Sequence, residues 1–316
     1  MKKISSKIKL FTIAVAMLAS SVLAPMSSTL AMEVSNHFSV GPMSQKIILT
    51  PGETYRGTVS VTNPNSATAP FYYLAQPAPF TVTSEDYDTD FGKETNYTQM
   101  YKWMTIENPE GSVEPNNSED IRFSITVPMD APAGGQYAAI RVANNKNKFL
   151  EDSKENSLNI NEQLEIVSVI YASVAGNTRE TGNVLENNIP SFILNSPLSA
   201  SSLVENTGNV HDDAEYILQV YPLFSDEEIY TNEEDPLTKT IMPETKRLVT
   251  QEWDTSSTIG IFKAKQTIKI FDQTSTTEKI VVVCPLWLLF VILFVIIAII
   301  IWIIMKVKSG KKARKK

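Results

Sequence analysis

Cysteine is nearly missing from this sequence: Cys284 is the only one in 316 residues. A lone thiol excludes an intramolecular disulfide framework, so an exported chain of this kind must rely on its hydrophobic cores. Histidine is almost as scarce, with His37 and His211 alone. A zinc site needs more His and Cys than that unless carboxylates complete it. No G-x-S-x-G elbow or nearby thiol accompanies His211 and Asp212, so a catalytic relay would lack its nucleophile. The chain is therefore read as a non-enzyme, with no catalytic residue and no cofactor. Helical patterning is missing as well, outside one apolar run near the C-terminus. No lipobox-type cysteine follows the N-terminal apolar stretch, and no LPxTG-like sorting motif precedes the last one.

What is present starts with two address signals. Lys2, Lys3, Lys7 and Lys9 precede LFTIAVAMLASSVLA, and small residues follow, which describes a secretory signal peptide over 1–31 cleaved after Ala31. At the other end, PLWLLFVILFVIIAIIIWIIM (285–305) carries no charge. At ~1.5 Å per residue, a helix of this length covers about 30 Å, the thickness of a bilayer's hydrocarbon core. Pro285 suits the first helical turn, and Trp287 and Trp302 fall where aromatic rings prefer the interface. The tail KVKSGKKARKK (306–316), led by Lys306 and Lys308, is wholly basic in charge and is expected to stay in the cytoplasm. The expectation is a single-pass plasma-membrane protein with its N-terminal domains outside and no intracellular signalling module. The basic cluster also serves as a lipid-surface anchor.

Between these ends, residues 32–284 hold 28 − 4 − 7 = 17 basic residues against all 35 acidic ones, a net charge of −18. Such a surface repels nucleic acid and leaves neutral glycans, cationic partners or other proteins. The patterning is period-two. KIILTPGETYRGTVSVTN reads as strand, Pro-Gly turn, strand; IRFSITVP (121–128), QYAAIRV (136–142) and QLEIVSVIYASV (163–174) follow. Short strands separated by Pro, Gly and Asn point to all-β sandwiches. The phrase TVSVTNPNSATAPFYYLAQ (58–76) returns in kind as SLVENTGNVHDDAEYILQV (202–220), with Asn63 and Asn206 ending equivalent strands where Asn tolerates a tight turn. The closing segments also match, each with glycine, an aromatic (Tyr137 or Phe262) and an alternating strand. Two consecutive immunoglobulin-like β-sandwiches follow, over 32–175 and 176–280, plus the C-terminal transmembrane helix. Residues 146–163 form a polar excursion in the first.

The residues LTPGETYRGTVSVTNP, FSITVPMDAPAGGQYAAI, VENTGNVH, and IMPETKRLV followed by IGIFKAK together resemble the WxL interacting proteins of Gram-positive bacterial surfaces. That resemblance covers nearly the whole exterior as a pattern of turns. It implies two immunoglobulin-like domains, the first binding peptidoglycan and the second a host or partner protein. At 77–102 this chain carries PAPFTVTSEDYDTDFGKETNYTQMYK in place of the Asn-Gly-rich segment of the pattern.

Few residues invite chemistry. Asp86, Asp88 and Asp90 in DYDTDFGKE open like a calcium loop, but Phe91 stands where glycine is needed and Tyr97 where the bidentate glutamate belongs. A solvated acidic loop is the plainer reading, as it is for SDEEIYTNEEDP (225–236). Trp103 and Trp253 read as core or rim aromatics rather than sugar platforms. The leading expectation is a non-enzymatic bacterial surface protein that binds cell-wall glycan or another surface protein through its sandwiches. The alternative is a secretion or assembly chaperone that holds a client strand on an exposed sheet edge. An unpaired apolar edge favours the second, a polar groove rimmed by aromatics the first.

Overall fold

A computed structural model of the chain describes residues 38–67, 69–145 and 164–313. The segment 1–31 read as a signal peptide, His37, the stretch 146–163 and the last residues of the tail (314–316) lie outside the described residues.

The strands form two immunoglobulin-like sandwiches built to one plan. In the first, β1 (Ser39–Gly41), β3 (Thr54–Thr62), β9 (Ser118–Thr126) and β7 (Met104–Ile106) make one sheet in the order β1-β3-β9-β7. The facing sheet runs β2 (Ser44–Leu49), β11 (Glu165–Val174), β10 (Gly134–Asn144), β4 (Phe71–Pro79), β8 (Glu110–Val113). In the second, β12 (Gly182–Asn188), β14 (Leu198–Asn206) and β18 (Lys246–Trp253) face β13 (Phe192–Ile193), β20 (Gln273–Val283), β19 (Gly260–Ile270), β15 (Asp212–Pro222) and β16 (Tyr230–Thr231), with β17 (Leu237–Ile241) also on β15. In both, a short early strand runs parallel to the last strand: β2 with β11, β13 with β20. Every other pairing is antiparallel in the central ladders β3–β9, β10–β11, β14–β18 and β19–β20.

Alternation in the sequence sets which side chains enter the cores. Ile121, Phe123 and Ile125 of β9 are buried at every second position, and Phe262, Ala264, Ile268 and Ile270 of β19 turn inward while Lys263, Lys265 and Lys269 turn out. Trp103 packs at the margin of the first core and Trp253 is buried in the second, edge-on to Phe262. The segment 225–236, read as a plain loop, contains β16 and folds back on β15. Asn232 accepts from Leu218 N–H and donates to the Tyr216 carbonyl.

Asn63 and Asn206 do hold equivalent places, but not for the reason expected from turn propensity. Neither adopts a left-handed backbone; both are buried, and their amides cross-tie the sandwich. Asn63 Nδ2 donates to the carbonyls of Ala69 and Val113, and Asn206 Nδ2 to those of Val210 and Ile241. The backbone N–H of each then bonds the carbonyl just ahead of the facing strand, Asn117 in one copy and Thr245 in the other. A buried carbonyl left without its donor costs ~1–3 kcal/mol. Asn206→Ala and Asn63→Ala should therefore each lower stability by roughly 2–4 kcal/mol, since two carbonyls are orphaned. Asn206→Asp, which keeps the size but loses the donor, should be at least as damaging in urea denaturation.

After Val283 the chain passes into α1 (Leu286–Ala313), of which Leu286–Met305 is long and apolar enough to cross a membrane. Pro285 stands one residue ahead of the helix rather than in its first turn, and its carbonyl accepts from Leu288 N–H. Trp287 and Trp302 are exposed on the helix surface, and the helix continues through Lys306 and Lys308 into the basic tail.

Candidate binding edge and interdomain joint

A sheet edge becomes a binding surface where its main-chain groups have no partner. The strand β11 has such a stretch. On one side it pairs with β10 from Glu165 to Val174, but on the other its pairing with β2 begins only at Val169↔Ser44. Ser168 Oγ to the Pro42 carbonyl and Val169 N–H to the Met43 carbonyl mark where that cover starts. From Glu165 to Ser168 no strand among the described residues pairs with its outer side. Asn144 N–H bonds the Leu164 carbonyl, so even-numbered residues here face β10 and the N–H and C=O of Glu165 and Val167 point outward. Around this edge lie Leu164 and Ile166, half-buried against the first core, and the exposed Met43. The Glu165 carboxylate is held by Arg141 of β10 through Nε at 2.5 Å and Nη2 at 2.8 Å, a bidentate pair that keeps it beside the strand.

The other face of β11 is not exposed. Val167, Val169 and Tyr171 pack with Phe80, Tyr137, Ala139 and Met242 in a cluster that joins the two sandwiches. Tyr137 and Tyr171 stack edge-on at 5.7 Å, and the ring of His211, from the turn before β15, lies 5.7 Å from the first and 5.6 Å from the second. Polar ties surround these rings. Gly135 N–H bonds the Asn209 carbonyl at 2.6 Å, and Asn209 Nδ2 donates to the Ala133 carbonyl. Gly134, with φ +114°, lies against the Asn209 carbonyl; a Cβ there would clash with it. Lys46 of β2 pairs with Asp213 of β15. That pair is half-exposed and worth under about 1 kcal/mol.

The segment 77–102 supplies the rest of the joint. Its hairpin, β5 (Thr81–Val82) with β6 (Thr89–Asp90), presents Tyr87 at its tip in a left-handed backbone, φ 66°. For a residue of this size that costs about 1 kcal/mol, offset by what the side chain reaches. Its hydroxyl accepts from Met242 N–H and bonds Thr245 Oγ1, both at 2.7 Å, while the Arg247 guanidinium lies 4.0 Å over its ring. Leu248 N–H of the edge strand β18 bonds the Glu85 carbonyl at 2.8 Å, so the hairpin also covers that edge. Tyr97 completes the contact through Glu244 Oε1.

The candidate calcium ligands are therefore part of a structural hairpin. Asp88 accepts from Ser84 Oγ, and Asp90 Oδ1 accepts from the N–H groups of Gly92 and Lys93, which hold it below its usual carboxylate range. These are the turn-forming bonds of short acidic side chains. The structure does not gather Asp86, Asp88 and Asp90 on one point, and among the described residues no group of three or more His, Cys, Asp or Glu is placed to share an ion. A polar cleft of about 610 Å³ is lined by Glu107, Asn108, Ser118, Glu119, Asp120 and Arg122, with no aromatic side chain. Tyr87 and Tyr171 escaped the sequence reading, and Tyr137 was read only as the aromatic matching Phe262. In the structure Tyr137 follows the positive-φ Gly134 by three residues where Phe262 follows Gly260 by two, which puts the two aromatics on opposite faces; Gly135, two before Tyr137, hides that difference in the sequence.

His211 is the titratable group at the centre of the joint. Burial lowers its pKa from 6.5 to about 4, Lys46 adding to the shift against the pull of Asp213 and Asp212. The folded protein thus keeps it neutral where the unfolded chain takes up a proton. As pH falls from 6.5 towards 4 the unfolded state binds more protons, and stability declines through that window. The loss should total on the order of 3 kcal/mol and should be missing from His211→Gln, as read by the difference between the two proteins in urea melts from neutral to acid pH.

No family model matches this sequence, and no curated protein is similar to it. Among solved structures, the chain is similar to the class 5 fimbriae chaperone CfaA, at 14% identity over 77% of this chain and 99% of that one, TM-score 0.38. It is similar to the YadV chaperone at 10% identity over 77% and 99%, TM-score 0.36. A third is a complex of the Salmonella enterica SafA pilin with the SafB chaperone, at 13% identity over 78% and 96%, TM-score 0.36. At TM-scores this low the likeness says nothing about what this chain binds.

Proposed function

We propose that this chain is a non-enzymatic envelope protein that holds an extended segment of a partner protein as an added strand on the open edge of β11. The observation that carries this is the start of the β2 pairing at Val169, which leaves the outward main-chain groups of Glu165 and Val167 for another strand. Main-chain hydrogen bonds supply affinity in such an arrangement, and side-chain pockets at alternate positions supply choice. Here those positions are apolar, beside Leu164, Ile166 and Met43. Sugar binding finds less support: both extracellular tryptophans pack into or against the cores, and the polar cleft carries Glu107, Glu119 and Asp120 without an aromatic platform. The helix α1 anchors the protein in the plasma membrane with the sandwiches outside and the basic tail inside. Strand holding suits an assembly chaperone and a surface adaptor alike. It is compatible with kinship to the WxL interacting proteins, with a protein segment rather than peptidoglycan as ligand of the first domain.

Val167→Pro removes one outward N–H and sets a ring against an incoming strand, in a position where an edge tolerates proline. With a photo-crosslinker at Met43 of the full-length protein in intact cells, one or a few defined envelope proteins should be captured. Val167→Pro should abolish that capture, and Val167→Thr, which also alters the side chain that Val167 lends to the joint but keeps the outward N–H, should retain it. Capture unaffected by Val167→Pro, or saturable pelleting with cell-wall sacculi that survives it, would contradict the strand reading.

A further inference from the structure

We infer that the membrane end of the outer face of the β13–β20–β19 sheet is a lipid-docking surface, seated in the interfacial layer of the bilayer that α1 enters. The face is set by alternation. Ile193, Val281, Val283 and Phe262 are buried, so Phe192, Ile280, Val282 and Ile261 turn outward. Phe192 pairs with Val282, and Val282 with Ile261, so the three lie in one row across the sheet. Phe192 is 50% exposed, Ile261 47% and Ile280 56%, and Ile259 and Leu194 beside them are exposed too. Isolated apolar side chains on a surface need no explanation, but a contiguous group of five marks an interaction site.

Its position names the occupant. β20 ends at Val283 and α1 begins at Leu286. The base of the sandwich is bonded to that junction: Cys284 N–H to the Ile193 carbonyl at 2.9 Å and Leu286 N–H to the Leu194 carbonyl at 3.1 Å. At about 3.3 Å per strand residue, the Phe192–Val282–Ile261 row lies roughly 10–13 Å along the chain from the first helical residue, and Ile280 about 20 Å. The headgroup layer on each side of the hydrocarbon core is about 5–8 Å deep, within reach of a tilted strand and its side chains.

The charge changes along the same face in the order a bilayer surface presents. Moving away from the helix, Ile261 is followed by Lys263, whose ammonium lies 5.2 Å over the Tyr221 ring, and then by Lys265. Apolar side chains meet the acyl boundary and Lys263 and Lys265 meet the phosphates, as in interfacial anchors, while the Tyr221 hydroxyl donates to Glu228 and only its ring supports Lys263. The stretch 260–283 has four lysines, Lys263, Lys265, Lys269 and Lys279, against Asp272 and Glu278, a net charge of 4 − 2 = +2 within an exterior of −18. Basic residues placed this close to an anionic leaflet attract it.

Direct contact with lipid can be read in proteoliposomes of the full-length protein carrying Cys284→Ser. Single cysteines at Phe192, Ile261 and Ile280 are labelled with a small fluorophore, alongside Thr274→Cys at the far end of the same face and Ile296→Cys inside the helix. The vesicles contain phosphatidylcholines doxyl-labelled either near the headgroup or near the chain end, the second serving position 296, and a fraction of phosphatidylglycerol. Quenching at 192 and 261 to at least half the extent seen at 296, with none at 274, is expected. Quenching at 296 alone would overturn the docking surface while leaving the membrane anchor in place. Equal quenching at 274 and 192 would also overturn it, because the contact would then not belong to the apolar end.

Discussion

The packing of Tyr137, Tyr171 and Phe80 against Met242 and His211 is the contact on which the remaining arrangement depends. Two sandwiches joined by the connector 175–181 would otherwise be free to move about it, the usual behaviour of tandem domains with small contacts. Here apolar burial is combined with directed bonds. The Tyr87 hydroxyl and the Glu85 carbonyl reach β17–β18 of the second sandwich, and Asn209 reaches the start of β10 in the first. Burial supplies most of the free energy, and the hydrogen bonds fix one orientation, because a misaligned joint would leave buried N–H groups unpaired. β11 is shared between this joint and the proposed binding edge. Its outer face carries Val167, Val169 and Tyr171 into the joint while its free edge remains open, so the edge is held in a set attitude to the second sandwich. Through β20 and the bonds at Cys284 and Leu286, the second sandwich is in turn tied to the apolar helix α1.

The same scaffold is used twice for different ends. Asn63 and Asn206 make the same cross-ties, and Gly134 and Gly260 open the closing ladders with positive φ. The copies then diverge by single positions. Tyr137 comes one residue later after its glycine than Phe262 does, and so lines the joint while Phe262 fills a core. In the first copy β2 covers the last strand from Val169 onward; in the second β13 covers only Val282 and Val283 of β20. Among the described residues both copies thus leave part of their last strand without a paired strand, the first beside apolar groups and the second along Gln273–Lys279, where Asn187 Nδ2 bonds the Ser275 carbonyl and polar and charged side chains disfavour a further strand.

Much of this fold was legible in the sequence because period-two patterning, turn residues and an uncharged apolar run are local signals. The doubled phrase around Asn63 and Asn206 marked a duplicated sandwich, although propensity alone suggested a turn role where buried amide cross-ties do the holding. The start of the apolar helix was legible to within one residue at Pro285, though the helix runs on past Met305 to Ala313. The site was much less so. The hairpin 81–90 read as an acidic loop because Asp86, Asp88 and Asp90 are polar, while its one decisive residue, Tyr87, acts on partners more than 150 positions away. Long-range pairing of that kind leaves no local trace. The open edge of β11 escaped for the same reason: the strand was plain in QLEIVSVIYASV, but where β2 stops covering it depends on a register between distant segments.

A rigid joint sets the attitude of the β11 edge, and pulsed electron–electron dipolar spectroscopy tests that rigidity most directly. Spin labels at Thr126 in the first sandwich and Thr276 in the second, in the full-length Cys284→Ser protein, should give one narrow distance distribution. Tyr87→Ala should broaden it without unfolding either sandwich. A broad distribution in the protein with Tyr87 intact would contradict the joint, and with it the fixed attitude of the binding edge.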